Sequence, residues 1–428
     1  MPASGPRLFL LCEQPPVDYY LGPAVARSAR PGLCRTNDAM SSQSRISSID
    51  AFRPPAILAV ICIHTGLFLG TGLGPGVDML GYLLNLAAHV AVSFFFLATG
   101  YFLARKVAAG ENPMDAAWKY TTRLLTVFVF WSIVYLAIPN DLAALAEHGY
   151  LRHTHMKIMA LLGDPTAALI FDGSRSHLWF ITALLLAVWQ IAVLVSSGRA
   201  DRLPYWAVFL YVVGLLGGSY AATPLGLNMQ FNTRNGPFFS TLLVTVGWCL
   251  ANPRIRVRLR WAILLAAAGF LLSVAEALLL WRVFDVLPFR HDFLVGTVPF
   301  AAGLFLMLLA RPELGRGTVL PRLAPYTLGI YACHVVFVDR WYALKPLSPG
   351  LPVRLAIEIG APLVIFLLSC ALVFLMSRWR VLSPLVMTSS ARAEPRARRL
   401  LRAPAGTAET FAGATAAVNV ATEYPQAA

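Results

Sequence analysis

The chain has 428 residues, of which 57% are hydrophobic and only 13% charged, and its mean hydropathy is +0.64. A soluble globular chain carries about a quarter charged residues, whereas here whole stretches of roughly 20 residues carry almost none. A soluble enzyme, a disordered protein and a disulfide-built secreted domain are excluded. The net charge of +14 would suggest nucleic acid in a soluble protein. Here the arginines stand between apolar segments, where they set topology, and no nucleic-acid partner is expected.

Residues 1–44 are rich in Pro, Gly, Ser and Arg and lack an apolar period. They read as a disordered leader, with Met40 as an alternative start, because Leu8–Cys12 is too short for a signal-peptide core. Residues 45–380 form the membrane domain. Residues 381–428 are basic and then low in complexity, the composition of a disordered cytoplasmic tail. Six cysteines show no C-x-x-C pattern and read as small hydrophobes.

Ten apolar spans are predicted, at roughly 54–73, 79–103, 120–138, 176–196, 204–221, 237–252, 259–281, 293–310, 323–343 and 354–376. The expected fold is an all-α integral membrane protein with about ten transmembrane helices and both termini in the cytoplasm. That topology puts 22 Lys and Arg residues inside and 9 outside, with four more in the leader. The bias follows the positive-inside rule. The longest outer loop, about 139–175, contains an amphipathic stretch around Leu142–Gly149. Its His148, His153 and His155 have no acidic or Cys partner at a ligand spacing, so no metal is expected.

An ionisable side chain deep in a bilayer is costly and is a functional candidate by default. His64, His89 and His334 stand ten or eleven residues into spans one, two and nine, about 15 Å deep at 1.5 Å per residue. Taken singly, His89 and His334 are equally well read as buried histidines bonded to a neighbouring helix. His64 stands out because of what precedes it. Ser47 to Pro55 reads as a helix entry, with Asp50 or a serine as cap and proline in the first turn. Arg53 then stands beside a helix N-terminus, which favours anions. Arg105, Lys106, Lys119 and Arg123 share that face, where topology and lipid headgroups account for most of them.

Five motifs now fall into order. Ile49-Asp50-Ala51-Phe52-Arg53 through His64 resembles the opening motif of the membrane acyltransferase 3 family, an Arg, ten residues, then a His. Phe94-Phe95-Phe96-Leu97-Ala98-Thr99-Gly100-Tyr101 looks like the family's FF-x-x-SGY run, with Thr99 in place of Ser. His177-Leu178-Trp179-Phe180 resembles its HLWY entry, and Thr233-Arg234-Asn235-Gly236-Pro237-Phe238-Phe239 is similar to a TRNG-x-FF element. Leu328-Gly329-Ile330-Tyr331 followed by His334 resembles LGIY-x-x-H. Pro54-Pro55 departs from the family's Gly-containing start after the Arg.

The resemblance implies an integral enzyme of the bacterial inner membrane. Such an enzyme moves an acyl group, often acetyl, from cytoplasmic acyl-CoA to a hydroxyl of a surface glycan or glycolipid. Acyl-CoA would be the donor substrate, with no permanently bound cofactor. His64 is then the expected general base, Arg53 the anchor of a donor phosphate and His334 an assisting group. Thr99, Trp179, Arg234 and Asn235 are the expected substrate-binding residues, with Glu276, Asp339, Arg340 and Glu358 also near the outer face. The tail residues Arg396, Arg398, Arg399 and Arg402 suit anionic membrane lipid. The rival reading is a proton-coupled transporter or lipid-linked-sugar flippase, which intramembrane histidines would serve equally well. Against it, the sequence has no clear internal repeat and no pair of broken helices.

Overall fold

The computed structural model describes residues 45–70, 74–163, 172–229, 231–344 and 350–387. The expected leader and all but the first residues of the expected tail lie outside the described residues. Among the described residues the chain is helical and contains no strand.

Helix α1 (Ser47–Thr65) begins the bundle. It is followed by α2 (Pro75–Ala88) and α3 (Val90–Ala108), which meet at His89. Then come α4 (Pro113–Ala137), α5 (Leu142–Gly163) and α6 (Trp179–Ser196), the last entered through a 3-10 turn at Ser176–Leu178. The second half comprises α7 (Leu203–Gly217), α8 (Pro237–Leu250), α9 (Leu259–Phe284) and α10 (Thr297–Ala310). It closes with α11 (Leu320–Leu323), α12 (Thr327–Leu344), α13 (Leu351–Ser377) and α14 (Ser383–Val386).

Each of the ten expected stretches carries a helix. By length and composition, five helical segments are long and apolar enough to cross a membrane. They are Pro75–Ala108, Pro113–Ala137, Ser176–Ser196, Leu259–Phe284 and Leu355–Ser377. The first has 34 residues, about 51 Å of helix, and so fits a hydrocarbon core of about 30 Å only when tilted or bent.

Two boundaries differ from expectation. Helix α1 starts at Ser47, with no side-chain cap, so Pro54 and Pro55 lie inside the helix and not in its first turn. Each proline removes one i to i−4 bond. Tertiary contacts hold this entry: Ser48 donates its hydroxyl to the Leu308 carbonyl at 2.7 Å and its backbone N–H to that of Pro312 at 3.0 Å. Helix α1 also ends early, at Thr65, because Gly66 turns left-handed at φ 61° and returns its N–H to Ile63. A side chain there would be strained. His64 therefore sits in the last turn of α1. In the outer loop, the expected amphipathic stretch extends to Gly163, with a kink at Gly149.

The core is built on α3, where Phe94 and Phe96 are fully buried among Trp131, Trp248 and Phe305. Helices α3 and α8 touch backbone to backbone. A Cβ on Gly100 would meet the Val244 carbonyl oxygen at 1.9 Å, and one on Gly247 would meet that of Leu97 at 2.0 Å. Large apolar side chains are exposed along the perimeter, among them Ile133 on α4, Phe209 on α7, Leu271 on α9 and Leu367 on α13. That is the distribution a lipid-facing surface requires. Inside, polar groups find partners: Glu276 on α9 accepts from Tyr220 Oη at 2.6 Å and from the N–H groups of Val295 and Gly296 ahead of α10.

Replacing Gly100 by Val is expected to force α3 and α8 apart and to cost at least about 1–3 kcal/mol, the usual range for overpacking. Thermal unfolding of the purified protein in detergent, followed by tryptophan fluorescence, should register a lower melting temperature. An unchanged midpoint would contradict the close packing.

Candidate active site

Three histidines from distant parts of the chain meet inside the bundle. His64 closes α1, His177 lies in the 3-10 turn before α6, and His334 lies within α12. The His64 ring centre is 5.1 Å from that of His334 and 6.3 Å from that of His177, and His177 is 5.4 Å from His334. His177 and His334 are buried. His334 Nδ1 lies 2.6 Å from the Tyr331 carbonyl, and His177 Nε2 lies 3.4 Å from that of Ala332. Because a carbonyl only accepts, these nitrogens carry the protons, and Nε2 of His334 and Nδ1 of His177 are lone pairs. Tyr331 Oη donates to the His177 carbonyl, Tyr135 Oη to Ala332 O at 2.8 Å, and Tyr342 Oη to His64 O at 3.0 Å.

His89, expected at the same depth as His64 and His334, takes a different place. Its Nδ1 bonds the Asn85 carbonyl at 2.7 Å, and its side chain lines a neighbouring cavity of about 340 Å³. Ile63 and Thr65, on either side of His64, also line that cavity, with Asn85, Arg234 and Asp292. Arg234 pairs with Asp292 at 2.8 Å and stands over the Trp179 ring, 5.5 Å from its centre. Asn232 bonds the other Asp292 oxygen at 3.2 Å, and Asn235 Nδ2 donates to Asp172 at 3.1 Å. Carboxylates, amides, an arginine and an indole face are the groups that bind a polyol. Burial raises the Asp172 carboxyl to about 6, against the pull of Arg234 and the Asn235 amide. His291, beside Asp292, is pushed down to about 4 by burial and so stays neutral at pH 7.

Arg53 lies about two turns into α1, eleven residues before His64 and about 16 Å from it along the helix. It pairs with Asp50 at 3.0 Å and stands over Phe102 at 5.8 Å. Arg105 lies over Tyr101, Lys106 over Tyr120, and Arg123 bonds the Met387 carbonyl at 3.1 Å. Thr99 donates its hydroxyl to the Phe95 carbonyl at 3.0 Å, within its own helix. Asp339 pairs with Arg175, and Arg340 donates to the Pro139 carbonyl. Glu276 holds the start of α10, as described above, and Glu358 is buried. Among the described residues no group of three His, Cys, Asp or Glu side chains is arranged to hold a metal ion.

The geometry thus joins His64 to His334 and Trp179 to Arg234, and leaves Arg53 at a separate basic mouth. Sequence reading passed over His177 as a site residue, together with Tyr135, Tyr331, Asp172 and Asp292. The signal for His177 was its place at the head of His177-Leu178-Trp179-Phe180. At the mouth of its span it was not counted among the deep ionisable residues.

A family model described as an acyltransferase domain matches residues 46–378. An Enterococcus faecalis protein named amino-acid racemase is 27% identical over 326 residues, covering 71% of this chain and 43% of its own length. A second protein of that name and organism is 29% identical over 231 residues, covering 51% and 30%. The serine/alanine racemase of Enterococcus gallinarum is 26% identical over 211 residues, covering 46% and 28%. The chain spans less than half the length of these curated relatives. No solved structure matches it.

A carboxyl whose folded-state value is raised to about 6 from 3.8 loses stability for the fold as the pH rises between those values. Asp172→Asn is therefore expected to raise the melting temperature above pH 6 and to leave it near wild type at pH 4. Equal shifts at both pH values would sink this account.

Proposed function

We propose a function from the premise that this chain belongs to the acyltransferase 3 family, whose domain spans residues 46–378. The proposed reaction is O-acyl transfer, with acetyl as the proposed group, from cytoplasmic acyl-CoA to a hydroxyl of a surface glycan or glycolipid. The proposed setting is the bacterial inner membrane, with ten spans and both termini cytoplasmic. The observation that carries this reading is the meeting of His64 and His334 between a basic mouth at Arg53 and a polar cavity at Arg234 and Asp292.

In this reading Arg53, at the inner end of α1, holds a donor phosphate, and the extended pantetheine arm brings the thioester toward His64. The acceptor enters the cavity on the other side and stacks a sugar face on Trp179, with Arg234 and Asn235 bonding its hydroxyls. His64 takes the proton of the attacking hydroxyl. The new C–O bond forms, the C–S bond breaks, and the electron pair leaves on the CoA sulfur, which then takes up the proton. Holding both reactants in line with the base is the main catalytic contribution available to such a site. Thr99 donates its hydroxyl to Phe95 within its own helix and keeps its oxygen lone pairs to accept a bond from substrate. The racemase names belong to proteins of which more than half lies outside the match, and amino-acid chemistry is not proposed for this chain.

Mass spectrometry of surface glycans from a deletion strain tests the proposal. Complementation with wild type should restore an added acyl mass that is lost on deletion. Complementation with Arg53→Ala or His64→Ala should fail by about 100-fold or more, the scale of a lost general base. Unchanged acylation on deletion, with a lipid-linked intermediate accumulating inside, would replace this reading by transport.

A further inference from the structure

Beside the cavity at Arg234 lies a second one, of about 220 Å³. It is lined by Ser219 after α7, by Asn232 and Thr233 ahead of α8, and by Arg290 and Asp292 ahead of α10. Asp292 also lines the larger cavity of about 340 Å³, so the two share a wall at its carboxylate. One oxygen of that carboxylate takes Arg234, which lines the larger cavity, and the other takes Asn232, which lines the smaller. The 3-10 turn Pro288–Arg290 is divided in the same way, with Phe289 lining the larger cavity and Arg290 the smaller. Ligand sites that stand alone usually reach about 300 Å³, so the smaller cavity suits an extension of the larger.

The groups on this second wall are not all spent on the fold. Ser219 Oγ donates to the Phe293 carbonyl at 2.6 Å and Thr233 Oγ1 to that of Gly214 at 2.8 Å, so each hydroxyl keeps its lone pairs. Asn232 Nδ2 gives one hydrogen to Asp292 and has a second. Arg290 is exposed, and among the described residues its guanidinium has no hydrogen-bonding or ionic partner. Asp292, two residues on, is already held at both oxygens. The charged residues lining the two cavities are Arg234, Arg290 and Asp292, which leaves one positive charge in surplus. A guanidinium forks a carboxylate through two parallel N–H···O bonds. The diphosphate of a lipid-linked sugar brings a second negative charge, for which these walls supply no second free cation.

We propose that the smaller cavity binds an acidic sugar, with its carboxylate on Arg290 and its hydroxyls on Ser219, Thr233 and Asn232. The inference rests on the acyltransferase reading for its place in the reaction, and it narrows the acceptor to an acidic glycan of at least two units. The unit that receives the acyl group occupies the larger cavity, and its acidic neighbour reaches past Asp292 into the smaller. Arg290 is then a specificity residue, which selects the glycan and takes no part in proton transfer.

Two measurements test this. The first is isothermal titration of the full chain in detergent with cellobiouronic acid, its methyl ester, and cellobiose, three disaccharides on one skeleton. Wild type should bind the acid at least about tenfold more tightly than cellobiose, the scale of a charge-assisted hydrogen bond. The ester should bind like cellobiose, and this comparison needs no variant. Arg290→Gln should bind all three alike. No binding of the acid, equal affinity for acid and ester in wild type, or a preference that survives Arg290→Gln would overturn the subsite. Tighter binding of lactose 1-phosphate than of the acid would overturn the carboxylate in favour of a phosphate. The second measures acyl transfer from acyl-CoA to glycan extracted from the deletion strain, either untreated or with its carboxyls reduced to alcohols. Carboxyl reduction and Arg290→Gln should each lower kcat/KM by about tenfold, chiefly through KM, and the two together should be no worse than either alone. Equal rates on both glycans would overturn the acidic acceptor. If wild type transfers no acyl group, the acyltransferase reading falls, whereas the disaccharide titration still decides whether Arg290 holds a sugar carboxylate.

Discussion

A polar atom enclosed by apolar helices has no water to turn to, and it must find its partner within the bundle or leave a cost unmet. That requirement organises this molecule. Ser48 fixes the entry of α1 on the Leu308 carbonyl, Tyr211 Oη reaches Leu294 O at 2.6 Å, and Ser240 Oγ reaches Ala183 O at 2.8 Å. Glu276, a carboxylate within a long apolar helix, takes three donors around the start of α10. These bonds tie together helices whose apolar faces alone would slide past one another in lipid. The same requirement singles out the histidine cluster, where α12 supplies carbonyl acceptors for two rings but no donor for their remaining lone pairs.

Helix α1 links the two ends of the proposed site. It carries Arg53 near its start and His64 in its final turn, so their separation is set by helical rise and not by loop conformation. Pro54 and Pro55 make this helix intrinsically weak just after Arg53. It persists through packing against α3, α12 and the short α11. Gly66 ends it two residues after the histidine, and Ile63 and Thr65 stand on the wall of the polar cavity. A donor held at Arg53 and an acceptor held at Arg234 would approach His64 from opposite sides.

Charged groups on this side of the bundle are matched with partners. Arg234 faces Asp292 on the cavity wall, Arg175 faces Asp339, and Asn235 bonds Asp172. Such pairing lowers the cost of holding each charged group away from bulk water. At the opposite end, several cations lie over aromatic faces, as Lys106 does over Tyr120 at 4.8 Å. A cation over a ring face is attracted by the negative face of the π system.

Much of this was legible in the chain itself. Composition and apolar run length determined an all-helical membrane protein, because backbone groups in lipid are satisfied within helices and runs of about 20 apolar residues have few other uses. Ordered short motifs pointed to the family, and the cost of an intramembrane imidazole singled out His64, His89 and His334. Depth along a span, however, does not determine which residues touch. His89, placed level with the other two, lines the cavity instead, and His177, at the mouth of its span, takes the third place in the cluster. Helix ends moved for the same reason: Ser48 and Gly66 fix α1 through contacts that no local pattern contains. Asp172 and Asp292 gained their partners across gaps of 63 and 58 residues. The sequence determined which side chains were too costly to bury without a purpose. Only the packing of helices distant in the chain decided which of them face one another, because rotation and offset between helices depend on close contacts such as Gly100 on Val244 and not on periodicity within either helix.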